Sequence, residues 1–245
     1  VINILHLHLN MSITLQNLSN FYGSQQVLKN LNLSVKPGEI VGFLGPNGAG
    51  KTTTMRLLAG VLHYGTGSAW ICDLEVNEHP IEIKKLIGYL PENNPLYPDM
   101  YVKEYLNFVT ELYKLKQNKK KRVDDVIDMV GLRPESNKKI GQLSKGYRQR
   151  IGIAQTLIHD PQVLILDEPT TGLDPNQLIE IRSLIKEVGK DRAVLFSTHI
   201  MQEVEAVCSR VAIINKGEIV ADFADVNRIS QSNSGEFSLE VRFTS

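Results

Sequence analysis

The sequence predicts an α/β protein built on a mostly parallel sheet, and three observations support that prediction. A compact apolar run, "EIVGFLG" at 39–45, ends in a glycine-rich loop and passes into "TTTMRLLAG" at 52–60, whose apolar residues keep helical spacing until Gly60. Two further runs, "VLILDE" at 163–168 and "AVLFSTH" at 193–199, are apolar without alternation, the pattern of strands buried on both faces. Between them "NQLIEIRSLIKEVG" at 176–189 reads as a helix, completing a strand–helix–strand unit. A chain of 245 residues is long enough for one large α/β domain or two small ones sharing an interface.

Taken in order, the chain begins with "VINILHLHLN", which has neither the basic start nor the small-residue cleavage site of a signal peptide. Met11 looks like a more natural start, and His6 with His8 are too few ligands for a metal site. Alternating stretches, "ITLQNL" and "VLKNLNLSV", predict strands on either side of the turn-like "FYGSQ", and Pro37-Gly38 marks a further turn. After the glycine loop and its helix, "GSAWICDLEV" predicts a second group of short strands. The strand "LIGYL" at 86–90 then breaks at Pro91 into a proline-punctuated loop that begins with Glu92.

From about Val102 to His159 the periodicity becomes helical, with Tyr105, Phe108, Val109 and Leu112 on one face and Val123, Val126, Ile127 and Val130 on another. The lysine-rich "YKLKQNKKKR" between these groups reads as a solvated turn, with a membrane-surface or partner contact as the alternative. "VAIINKGEIVAD" predicts a hairpin turning at Lys216-Gly217. Beyond Asp225, "SQSNSG" reads as a linker and "EFSLEVRFTS" as the start of another strand.

Lys plus Arg and Asp plus Glu balance at 27 each, so the global charge gives no reason to expect a nucleic-acid partner, and any anion site must be local. The two cysteines, Cys72 and Cys208, make no disulfide framework and suit a reducing cytosol. No apolar run approaches the roughly 18 residues of a membrane span.

Chemistry concentrates in two motifs. Gly45, Pro46, Asn47, Gly48, Ala49, Gly50, Lys51 and Thr52 match G-x-x-x-x-G-K-[ST] between a strand and a helix, the context that motif requires. There the glycines let backbone N–H groups converge on phosphate oxygens at a helix start. Lys51 would neutralise the β- and γ-phosphates, Thr52 would offer its hydroxyl to Mg²⁺, and Thr53 would reach an α-phosphate oxygen. The acidic strand end adds Asp167, placed to hold Mg²⁺ through water, and Glu168, placed to orient and deprotonate an attacking water.

Together these motifs predict a P-loop NTPase without saying which one. "LSKGYRQRIGIAQTLIHDP" before the acidic strand, "TTGLD" after it and "STH" ending the next strand resemble the nucleotide-binding subunits of ABC transporters, from Ser12 to about Asp222. The resemblance implies a P-loop core with a mixed, mainly parallel sheet, an antiparallel β-subdomain and an α-helical insertion subdomain. It implies an extension at 1–11, an ATP-binding domain at 12–225 with the insertion at about 93–160, and a linker with the start of a C-terminal extension at 226–245.

The same resemblance assigns individual residues. Ser144 and Gly146 fall in the family's LSGGQ signature, where they would meet the γ-phosphate of ATP held by a second, head-to-tail copy; Lys145 and Tyr147 depart from its Gly and Gln. Read without the family, Ser144 is a helix N-cap and Asp174 another, before Pro175. Within it, Asp174 links the two sites of the dimer, His199 senses the γ-phosphate, and Tyr22 stacks on adenine, with buried packing as the alternative for Tyr22. Glu92 falls at the family's Q-loop glutamine. As a carboxylate it can ligate Mg²⁺, but it cannot donate a hydrogen bond when ionised.

The function implied is that of an ATPase motor working as a homodimer with separate membrane permease subunits. It would sit in the cytoplasm on the inner face of the membrane and receive the permease on the loop from Glu92 to Met100, through Leu96, Tyr97 and Met100. The details most resemble bacterial exporters, specifically the gliding-motility-associated kind. A soluble ATPase of the same superfamily, acting in translation or DNA repair, is the alternative. Those usually carry two cassettes or a long coiled coil, and neither occurs here. Intact Lys51, Asp167, Glu168 and His199 argue against a regulatory module with a dead site.

Overall fold

The structure, a computed structural model, describes residues 12–226. The expected extension at 1–11, with His6 and His8, and the linker and strand from 227 onward lie outside the described residues.

Two sheets organise the fold. The strands β1 (Ile13–Tyr22), β2 (Gln25–Val35), β4 (Thr66–Ile71) and β5 (Leu74–Glu75) form an antiparallel sheet in the order β2-β1-β4-β5. The second sheet has β3 (Ile40–Leu44), β6 (Ile87–Leu90), β7 (Val163–Asp167), β8 (Ala193–Thr198), β9 (Arg210–Asn215) and β10 (Glu218–Phe223), in the order β10-β9-β3-β8-β7-β6. All its pairings are parallel except the hairpin β9-β10, which turns at Lys216 and Gly217, both at positive φ. The expected α/β class and both kinds of sheet are therefore present.

Period-two geometry explains why β7 and β8 are apolar throughout. Val163, Ile165 and Leu195 enter one core with helix α1 (Lys51–Leu58) and the antiparallel sheet, whereas Leu164, Leu166 and Phe196 enter a second core built mainly by helices. That second core includes α3 (Val102–Leu112), α4 (Lys119–Met129), α5 (Lys145–Leu157) and α6 (Pro175–Gly189). Helix α7 (Met201–Val207) contributes Val204 and Val207 to the same core.

Three expectations need correction. Residues 80–86, where the pattern predicts no helix and only Leu86 falls in a predicted strand, form helix α2 (Pro80–Leu86). Pro80 presets its first turn, Glu82 and Lys84-Lys85 suit its two ends, and only Ile83 is buried, so no periodicity announces it. On α3 the buried stripe is Val102, Tyr105, Leu106 and Val109, whereas Phe108 and Leu112 are exposed. In the loop after β6, Leu96 and Met100 pack against the helical core, leaving Tyr97 as the exposed apolar residue of the three. Tyr97 instead meets Phe108 edge-on, with ring centroids 6.0 Å apart. Among the described residues no helix is long and apolar enough to cross a membrane.

Candidate functional site

Strand register assembles the site. Leu44 pairs with Thr198, Asp167 with Ser197, and Leu90 with Leu166, so four parallel strands end at one edge of the sheet. The residues that follow them, Gly45, Glu168, His199 and Pro91-Glu92, are therefore neighbours although spread over more than half the chain.

The loop from Gly45 to Gly50 joins β3 to α1. A Cβ at Gly45 would stand 2.3 Å from the Ile214 carbonyl oxygen, and Gly50 has φ 110°, so both positions need glycine. Lys51 is buried, and its ammonium donates to the carbonyls of Gly45 at 2.7 Å and Pro46 at 3.2 Å. It also lies 3.4 Å from Oε1 of Glu168. The ammonium is thus held at the mouth of the loop by its own backbone and by a carboxylate.

Asp167 is fully buried. Its Oδ1 accepts from the Ser197 hydroxyl at 2.6 Å, while its Oδ2 has no hydrogen-bond partner among the described residues. The Ser197 hydroxyl in turn accepts from the backbone N–H of Glu168 at 3.0 Å, so one serine fixes both acidic residues. Glu168 adopts φ 48°, a left-handed conformation that is uncommon for a side chain of this size. Its Oε2 accepts from the Thr171 hydroxyl at 3.2 Å and lies 2.9 Å from Nδ1 of His199. Three groups, Lys51 after the phosphate-type loop, Thr171 beyond β7 and His199 at the end of β8, therefore converge on one buried carboxylate.

A cavity of about 430 Å³ is lined by Asn47, Gly48, Gly50, Lys51, Thr52 and Thr53 of the loop and helix start together with Glu92, Glu168, Thr171 and His199. Pro46 and Ala49 shape the loop from behind: Ala49 donates to the Pro46 carbonyl at 3.2 Å and accepts from Gly217 at 3.0 Å. Tyr22 ends β1 about half exposed, which excludes its buried alternative, and it does not line this cavity; Val27 does.

The arrangement fits a hard divalent cation shared with a nucleotide. Asp167 Oδ2 is a buried oxygen with no hydrogen-bond partner among the described residues, one position before the cavity-lining Glu168, and Thr52 and Glu92 line the cavity itself. No cluster of three His, Cys, Asp or Glu among the described residues is close enough to hold a metal alone. A magnesium ion here would draw the rest of its octahedron from phosphate oxygens and water, as that ion commonly does.

Ser144, Gly146 and Asp174 lie elsewhere. They line a separate cavity of about 530 Å³ with Tyr147, Arg150 and Gln177. Ser144 caps α5 through the Tyr147 N–H at 3.4 Å, and Asp174 caps α6 through the Gln177 N–H at 2.9 Å, so both cap readings are observed geometry. Helix α5 has two working faces. Lys145, Arg148 and Gln149 look instead into a third cavity, of about 520 Å³, shared with Glu92, Glu168 and Thr171.

Sequence reasoning missed Ser197, Thr171 and Val27. A hydroxyl next to a strand's last residue and another just past the acidic pair were the available signals for the first two. Val27 gave no signal, because its place depends on how the antiparallel sheet lies against the loop.

The profile of the family described as "ABC transporter" matches residues 28–171. Among curated relatives, the "Uncharacterized ABC transporter ATP-binding protein YhcH" of Bacillus subtilis is 37% identical over 226 residues, covering 91% of this chain and 72% of that one. The "Bacitracin transport ATP-binding protein BcrA" of Bacillus licheniformis is 40% identical over 207 residues, covering 84% and 67%. Among solved structures, cbiO1 from Clostridium perfringens, described as part of the ABC transporter complex cbiONQ, superposes with a TM-score of 0.81 at 26% identity, covering 91% of this chain and 92% of that one. The dimeric post-hydrolysis state of the ATP-binding cassette MJ0796 bound to ADP and Pi gives 0.77 at 26% identity, covering 86% and 97%. With the cavity, the acidic strand end and these likenesses in hand, the chain belongs to the ABC transporter family, as an ATP-binding subunit and ATPase.

Proposed function

We propose that this subunit is the motor of a bacterial exporter with separate membrane permeases, and that two copies close head to tail around two MgATP molecules. The carrying observation is the split of its polar machinery within one chain. Lys51, Asp167, Glu168 and His199 share one cluster, while Ser144, Gly146 and Asp174 open onto another cavity. Two half-sites facing different ways are what a head-to-tail pair needs.

In this reading the N–H groups of the 45–50 loop and Lys51 hold the β- and γ-phosphates, and Thr53 approaches the α-phosphate. Thr52, Asp167 and Glu92 are the magnesium side of the site, where the ion would offset phosphate charge. Glu168 accepts the proton of the attacking water, steadied by Lys51, Thr171 and His199. Ser144 and Gly146 present a helix N-terminus to the partner copy's γ-phosphate, next to Asp174. Tyr22, exposed at the end of β1, stacks on adenine.

We place the ATP-binding domain at 12–225, with the helical insertion at about 93–160 and the remaining residues as extensions. The permease meets the loop from Glu92 to Met100, with exposed Tyr97 at its centre, which seats the subunit on the inner face of the membrane. Nod factor export, named for one relative, supports export as the direction, and bacitracin transport, named for another, supports a transport role. "LSKGYRQR", the loop "PENNPLY" and the strand expected after the linker are the grounds for placing it with the gliding-motility kind. A Glu168→Gln variant should lose turnover by about 100-fold or more while binding ATP and accumulating as a dimer, as removal of a general base predicts. Full hydrolysis in that variant would refute the assignment.

A further inference from the structure

The loop that carries Glu92 is fastened to α5 by a side-chain relay. The Tyr105 hydroxyl, on α3, donates to Oε1 of Gln155 on α5, and Nε2 of Gln155 donates to Oδ1 of Asn94 at 3.2 Å. Burial, followed by the neighbouring Tyr97 and Tyr113, pushes the Tyr105 phenol up to about 12, so this donor keeps its proton at physiological pH. Gly152, one turn before Gln155 on the same helix, leaves a notch for the Asn94 amide: a Cβ there would stand 2.2 Å from Nδ2.

With its oxygen committed to Gln155, Asn94 leaves Nδ2 buried without a hydrogen-bond partner among the described residues. An unsatisfied buried donor costs stability, so the amide is held here for its geometry, which an apolar residue would not supply. Gln155 lies eleven residues from Ser144 along one unbroken helix, a rod of about 16 Å at 1.5 Å per residue. Glu92 lies two residues before Asn94.

We propose that Asn94 is a positioning residue that couples the Glu92 loop to the Ser144–Gly146 helix start, so that both shift as one body when the site closes. The proposal rests on the function assigned above, because it joins the side of the site that meets the chain's own nucleotide to the side that meets the partner's. It makes Gly152 part of the coupling although that residue touches no ligand.

The test uses the full chain with Asn94→Ala, Gly152→Ala and the pair together. Alanine favours helix over glycine, but a Cβ at Gly152 would crowd Leu90 Cδ1 at 2.7 Å as well as the Asn94 amide, so Gly152→Ala displaces the amide at some packing cost. ATP-analogue affinity in EDTA, kcat, KM and melting temperature are measured for each. Each single variant should lower kcat about 10-fold, the scale of one hydrogen-bonded contact, with analogue affinity within about 2-fold of wild type. The double variant should have a kcat no lower than Asn94→Ala alone, and the melting temperatures separate that effect from the crowding of Leu90. Additive losses, unchanged kcat, or a parallel fall in analogue affinity would overturn the proposal while leaving the ATPase reading intact. A wild-type chain that neither binds nor hydrolyses ATP would overturn both.

Discussion

Nδ1 of His199 lies 2.9 Å from Oε2 and 3.1 Å from Oε1 of Glu168, which joins the end of β8 to the end of β7. Nδ1 is therefore the ring nitrogen turned to the carboxylate, and a carboxylate in its ionised form can only accept from it. Glu168 is buried, whereas 43% of the His199 side chain is exposed, so the pair connects the interior of the site to its rim.

His199→Ala should therefore act through Glu168 as well as through any phosphate contact. Loss of one hydrogen bond to a charged group predicts a fall in kcat of about 10- to 100-fold. Steady-state ATPase kinetics check this, and a variant with wild-type kcat would remove His199 from the chemistry.

Thr171 donates to the same carboxylate at 3.2 Å. Thr171→Val, similar in shape but without the hydroxyl, should reduce kcat by about 5- to 10-fold, the scale of one net hydrogen bond. Thr171→Ser should restore most of it. Equal activity of all three proteins would show that Glu168 needs no such support.

Glu92 places a charge on the proposed magnesium side of the cavity. Glu92→Gln removes that charge but keeps an oxygen donor, so hydrolysis should require more Mg²⁺ for half-maximal rate. Titration of ATPase rate against free Mg²⁺ reads the shift. An unchanged curve would make Glu92 a hinge residue only.

His159 supplies a pH-dependent stability term. Burial holds its imidazole below the usual histidine range, only partly opposed by its 2.8 Å hydrogen bond to the Ile87 carbonyl, and it stacks on Tyr113 at 3.8 Å. A depressed folded-state value means the unfolded chain binds the proton more readily, so stability is complete above about pH 6.5 and falls as pH drops below it. Urea midpoints of wild type should decline from pH 7 to pH 5 more steeply than those of His159→Gln. Parallel declines would place the acid sensitivity elsewhere.

The sequence by itself determined the chemistry of each short window. A glycine loop between a strand and a helix, an acidic pair closing an apolar strand, and a histidine closing another are local features. Their backbone requirements, such as φ 110° at Gly50, follow from the residues present. The motif order identified the family, and strands lacking alternation announced the parallel sheet.

What only the tertiary structure decided is which side chains meet. The Asp167–Ser197 register, the Asn94–Gln155–Tyr105 relay and the separation of Ser144 from Lys51 depend on strands and helices far apart in sequence. So does the partial burial of Leu96 and Met100, which the sequence offered as permease contacts. Helix α2 and the buried face of α3 were misread because a single buried residue leaves no period and an aromatic stripe does not say which side faces the core. A side chain's direction is fixed by what packs against its element, and that partner is absent from the window in which the residue is read.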